Sequence, residues 1–177
     1  GVSSCARVEA DGSRTLCHEG IVQASASEVW RLFATSDGLA SWAAPVAAID
    51  LRVGGVWEAS YRRDGHIGDP GNIRNRVLSY LPGRMLSIQV ERAPPGFPNA
   101  DLVRTVWTVI ELEPVAANET RVRVSMTGYG QGAGYDALYA EFDEGNAFSL
   151  GKLRERISSG RPLDWGAPRG QASRAGG

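Results

Sequence analysis

The feature that most constrains this chain is a change of period near its end. Residues 120–129, "TRVRVSMTGY", alternate apolar and polar positions, with Val122, Val124 and Met126 on one side and Arg121, Arg123 and Ser125 on the other. Over residues 135–157 the apolar side chains Tyr135, Leu138, Tyr139, Phe142, Leu150, Leu153 and Ile157 instead recur at three- and four-residue steps. The first pattern is that of a strand with one buried face, and the second is that of a helix about 34 Å long. An antiparallel sheet with one apolar face needs a cover, and a helix of that length can cross it.

The segments upstream repeat the strand signal. Residues 16–24 read as a first strand. In residues 50–61, "DLRVGGVWEASY", two alternating runs flank Gly54-Gly55 as in a hairpin. Residues 71–80, 84–92 and 102–114 complete the set before 120–129, giving about seven strands. Between the first strand and the hairpin, Ser25 and Glu28 have capping-box spacing ahead of Val29, Trp30, Leu32 and Phe33, so a short amphipathic helix begins there. Residues 36–44, "SDGLASWAA", read as a second short helix, with Trp42 expected at the rim of the core. Residues 1–15 show neither period and are expected to form an irregular arm; residues 158–177 are expected to be a flexible tail, anchored at Trp165. The fold class is therefore α+β, in one domain spanning residues 16–157.

Composition narrows the function. With 177 residues, 42% of them hydrophobic, the chain is long enough for one sizeable core. A formal charge of -1, with Lys152 the only lysine and the arginines scattered, argues against nucleic acid. No apolar run approaches the roughly 18 residues of a membrane span. The chain starts at Gly1, which fits either a removed leader or an added residue, so a cytoplasmic and an exported home both stay open. Cys5 and Cys17 are equally compatible with two thiols and with a disulfide, which would contribute about 3 kcal/mol and favour an extracytoplasmic compartment.

Chemical motifs are sparse. "GYGQGA", residues 128–133, matches a dinucleotide-type glycine pattern, but no strand follows the helix to hold a ribose, so the glycines are read as a sharp turn. Amides at this helix start could alternatively meet the anionic end of a ligand. Cys17 and His18 are adjacent and point to opposite faces of a strand, and no metal-ligand spacing occurs; no metal or cofactor is expected. His66 and Asp69 lie in a Gly-rich connection where they could form an acid/base pair, although turn chemistry accounts for both. Glu91 and Arg92 complete the catalytic candidates. Trp57 and Tyr61 share a strand face, and Tyr135, Tyr139 and Phe142 follow two turns of the last helix, which suits either a solid core or an apolar pocket.

The segments "SASEVWRLFATSDGLASW", "DLRVGGVWEASY", "YLPGRMLSIQVER", "ETRVRVSMTGYG" and "EGNAFSLGKL" fall in the order and spacing of the START-like, or SRPBCC, superfamily. Within it the chain resembles the branch of heat-shock protein 90 ATPase activator homologues over residues 16–157. The resemblance implies a helix-grip fold with a cavity between sheet and last helix, holding a small hydrophobic lipid-, sterol- or polyketide-like molecule. It also implies two other activities: a polyketide cyclase or dehydratase with an acid or base in the cavity, and a chaperone-ATPase-activating partner domain. Trp57, Tyr61, Tyr135, Tyr139, Phe142 and Asn146 are the expected lining, with Trp42 and Phe97 at the rim, the latter on the Pro-stiffened loop "APPGFPN". Asn146 stands where members of this branch often carry tryptophan, which predicts a larger or more polar pocket. A monomer or weak homodimer is expected.

Overall fold

The structure, a computed structural model, describes residues 1–165. Its elements are β1 (Ser3–Ser4), β2 (Arg7–Val8), β3 (Arg14–Val22), α1 (Ala26–Ala34), α2 (Ser36–Ala40), β4 (Val46–Ile49), β5 (Val56–Ser60), β6 (Ile73–Leu81), β7 (Met85–Arg92), α3 (Ala100–Val103), β8 (Trp107–Ala116), β9 (Glu119–Tyr129) and α4 (Ala133–Ser159). All pairings are antiparallel, in the order β1-β3-β9-β8-β7-β6-β5-β4, with β2 also beside β3. This is the helix-grip arrangement: a sheet gripping the 27-residue helix α4, about 40 Å long at 1.5 Å per residue.

Local chemistry sets the helices between the two halves of the sheet. The Ser25 hydroxyl accepts from the Glu28 N–H, and the Glu28 carboxylate accepts from the Ser25 N–H, which satisfies amides that the first turn of α1 leaves open. Thr35 ends α1 and caps α2 by accepting from the Gly38 N–H. These helices carry the chain from β3 to β4 at the far edge of the sheet. Their buried Val29, Phe33 and Leu39 join Trp42, Leu86, Leu112, Leu150 and Leu153 in one apolar cluster. A second cluster gathers Leu16, Val103, Val106, Met126, Tyr129 and Leu138. The helix α4 touches the first through Leu150 and Leu153 and the second through Leu138. Leu138 and Leu150 are twelve positions apart, about 18 Å of helix.

Several elements differ from the sequence reading. The first fifteen residues are not irregular: β1 and β2 pair with β3, which begins at Arg14, so the sheet has nine strands rather than seven. The period-two signal cannot register two-residue strands, whose pairing comes from the partner strand. A disulfide joins Cys5 and Cys17 with their Cα atoms 4.8 Å apart, and the Cys5 N–H donates to the Cys17 carbonyl. The hairpin is shifted as well. Its first strand is Val46–Ile49, and residues 50–55 form the turn, with Ile49 opposite Trp57. Gly54 has φ +84°, and a Cβ on Gly55 would lie 2.0 Å from the Asp50 carbonyl oxygen, so both glycines are required by the turn. Residues 102 and 103, read as the start of a strand, instead belong to α3, and that strand, β8, begins at Trp107. Of the tail, Leu163 donates its N–H to the Ser41 carbonyl and the Trp165 indole donates to the Ala40 carbonyl, tying it to the end of α2; the expectation for residues 166–177 lies outside the described residues.

The disulfide closes a short loop against the fully buried Cys17. Cys5→Ser is expected to lower the unfolding free energy by about 3 kcal/mol in urea titrations, with far-ultraviolet circular dichroism unchanged. An unchanged midpoint would show that the arm adds nothing to the cooperative unit.

Candidate functional site

The gap between the two anchors of α4 is a cavity of about 170 Å³. Its floor is the sheet. Trp57 on β5, Asn75 on β6, Ile88 and Val90 on β7, Thr108 and Ile110 on β8, and Val124 and Met126 on β9 all border it. The registers explain why these residues gather: Trp57 lies opposite Asn75, Asn75 opposite Val90, and Thr108 opposite both Ile88 and Met126. Phe33, Leu39 and Trp42 close one end, and α4 roofs the space with Phe142, Asn146, Ser149 and Leu150.

Five of the eight residues expected at a ligand site border this cavity: Trp42, Trp57, Tyr61, Phe142 and Asn146. Trp42 is deeper than a rim position. It is buried, packs edge-on against Phe33 at 5.1 Å, and donates its indole N–H to the Leu32 carbonyl. Tyr61 follows β5 at the open end and is 67% exposed, yet desolvation raises its phenol above the ordinary value. Phe97 does not border the cavity; it packs behind Phe142, with ring centroids 6.3 Å apart. Tyr135 and Tyr139 are on the second apolar cluster instead. Tyr135 shares a hydrogen bond with Thr105, and Tyr139 packs edge-on against Tyr129 beneath the Arg14 guanidinium. They are about two turns and one turn, respectively, nearer the helix start than Phe142, the first residue of α4 on the cavity.

The catalytic candidates lie elsewhere. The Asp69 carboxylate accepts from the backbone N–H of His66, so the two side chains do not form an acid/base pair; the His66 ring is on an exposed turn. Arg92 donates to the Asp69 carbonyl, and Glu91 is exposed. What organises this region is Glu58, a residue the sequence reading passed over. It is buried on the face of β5 opposite Trp57, accepts from the Gly68 N–H and the Asn72 amide, and stands 3.6 Å from Arg74. Burial pushes its carboxyl up, but these hydrogen bonds and the charges of Arg74 and Arg92 outweigh that and hold it below the ordinary value.

At the glycine-rich turn, Arg14 donates to the Gly130 carbonyl and pairs with Asp136 in the first turn of α4. Further along, His18 on β3 reaches Asp143 on α4 at 2.8 Å. Both pairs hold the helix against β3. Among the described residues no group of three or more His, Cys, Asp or Glu side chains is placed to hold a metal ion.

The cavity wall contains no charged side chain among the described residues. Its polar members are neutral: Asn75, Asn146, Thr108, Ser149 and the Tyr61 hydroxyl. Asn75 is buried, and its place was legible, since it shares an inward strand face with Ile73 and Val77. Asn146 Nδ2 is buried with no hydrogen-bond partner among the described residues.

The family model for activator of Hsp90 ATPase homolog 1-like protein matches residues 23–158. The chain belongs to this family. No curated protein matches it. Among solved structures, the Aha1 dimer from Colwellia psychrerythraea aligns with a TM-score of 0.63 and 19% identity, over 81% of this chain and 95% of that one. CalU16 from Micromonospora echinospora aligns with a TM-score of 0.63 and 18% identity, over 89% and 87%. DynU16, described as a putative protein in the dynemicin biosynthetic locus, aligns with a TM-score of 0.61 and 16% identity, over 84% of this chain and 48% of that one. At these identities the likeness establishes the fold. The family match, which places the chain within the SRPBCC superfamily, begins at residue 23, after the disulfide-bearing arm.

The Glu58 carboxylate gives the fold an acid-side dependence. Because its folded value is depressed, its stabilising contribution is present above the unfolded value near 4.5 and is lost as pH falls through the folded value. Thermal melts between pH 3 and 6 should show wild type more stable than Glu58→Gln above that value, the gap closing at lower pH. A pH-independent gap would mean that the carboxylate's charge is not the source of its contribution.

Proposed function

We propose that this AHSA1-like protein binds a small uncharged hydrophobic molecule in the cavity between sheet and α4, acting as a carrier or sensor. The observation that carries this reading is the cavity itself: about 170 Å³ of space between the sheet and α4, walled by apolar and neutral polar side chains. Cavities of about 150 Å³ accept benzene, whereas sites for drug-sized ligands run from about 300 Å³. The occupant is therefore of the size of one substituted ring, or is longer and extends past Tyr61. A polyketide cyclase or dehydratase of the superfamily type would need an acid or base against its substrate, and among the described residues the titratable group on this wall is the Tyr61 phenol.

We take the protein to act as a monomer or weak homodimer. The disulfide fits an oxidising compartment, and we take the site of action to be extracytoplasmic. No helix among the described residues is long and apolar enough to cross a membrane.

Toluene tests the reading. Saturating toluene should raise the melting temperature of the wild type by a few degrees, because a ligand of the folded state stabilises it by mass action. Thr108→Phe, which fills the middle of the floor, should keep the circular dichroism spectrum and lose the toluene response. No response in the wild type, or an equal response in both proteins, would contradict binding in this cavity.

A further inference from the structure

On the reading that the cavity is a ligand site, we infer that its ligand is a neutral molecule carrying a hydrogen-bond-accepting oxygen, a ketone, aldehyde, ester or ether, and that the Asn146 side-chain amide is the group that selects it. Three observations converge. The Asn146 Nδ2 is buried, borders the cavity, and has no acceptor among the described residues. No charged side chain among the described residues lines the same wall. The opposite wall carries a second buried amide, Asn75, between Trp57 and Val90.

A buried donor without an acceptor costs about 1–3 kcal/mol, and native proteins keep few of them. A carbonyl or ether oxygen within hydrogen-bond reach of Nδ2 would recover that cost, while a plain hydrocarbon would leave the N–H unmatched. A carboxylate is disfavoured for the opposite reason: its charge would be buried among apolar side chains with no cation to meet it. This separates the inferred ligand from fatty acids and other anionic amphiphiles. The position on α4 fits the role. Asn146 is one turn from Phe142 and one turn from Leu150, so an aromatic or alicyclic body can rest on these side chains while its oxygen points at the amide. An apolar side chain at position 146 would leave the cavity able to hold hydrocarbons but blind to the oxygen.

Acetophenone and ethylbenzene provide the test, since they have nearly the same shape and differ by a carbonyl oxygen. Isothermal titration of the full-length wild type should give acetophenone an affinity roughly tenfold above ethylbenzene, the scale of one hydrogen bond that is otherwise left unmade. Asn146→Leu should bring that ratio to about one while ethylbenzene still binds. In the wild type, the Asn146 side-chain amide protons should move downfield in ¹⁵N-resolved spectra with acetophenone and not with ethylbenzene, a readout that requires no variant. Equal affinities in the wild type, a preference that survives Asn146→Leu, or an unmoved Asn146 amide would overturn the selection by Asn146 and leave the cavity reading standing. Binding of neither compound would overturn both.

Discussion

The grip of α4 on the sheet is made at two separated places, and the rest of the molecule depends on that separation. Leu138 seats in the cluster built on Leu16, Met126 and Tyr129, while Leu150 and Leu153 seat in the cluster built on Val29, Leu39 and Leu86. On the turns between the anchors, Tyr139 and Phe142 still pack against the second cluster, while Phe142, Asn146 and Ser149 border the space left over the sheet. Polar side chains can occupy positions 146 and 149 because they border that space.

Polar contacts set where the helix lies. Arg14 meets Asp136, and His18 meets Asp143, each pair joining β3 to one side of α4 at 2.8 Å. Such partly exposed pairs add little stability, but they fix direction and rotation, which a stripe of leucines alone leaves loose. The arm reinforces the same strand from the other edge: the disulfide attaches Cys5 to Cys17, immediately before His18. Thus the strand that positions the roof of the cavity is itself held on its sheet edge. The Glu58 network serves an analogous purpose at the open end, where it folds the loop following Tyr61 against Asn72 and Arg74.

Much of the architecture was legible in the sequence because burial on one face writes a period into it. The alternation of Val122 and Met126 and the helical spacing of Leu138, Leu150 and Leu153 report their own environments. The arm and the hairpin were less legible. The strands β1 and β2 are too short to show a period, and the choice between strand and turn at residues 50–53 is made by pairing with β5 and β6. The same limit applies to the site. Trp57 and Tyr61 could be placed on one face, and Asn146 could be singled out against the family pattern. The depth of Trp42 and the turning of Tyr135 and Tyr139 toward the second cluster depend on how far along the sheet each turn of α4 lies, which no local pattern encodes. His66 and Asp69 looked like a pair in sequence because spacing cannot distinguish a ring from a backbone N–H as the carboxylate's donor.

The central claim is that the space between the two anchors of α4 is a real apolar cavity rather than tightly packed core. Crystals pressurised with xenon test this most directly, since the gas binds wherever an apolar void of sufficient size exists and needs no knowledge of the natural ligand. An anomalous peak enclosed by Thr108, Val124, Phe142 and Leu150 is the predicted result. Xenon bound only at surface grooves, with those four side chains in mutual contact, would contradict it.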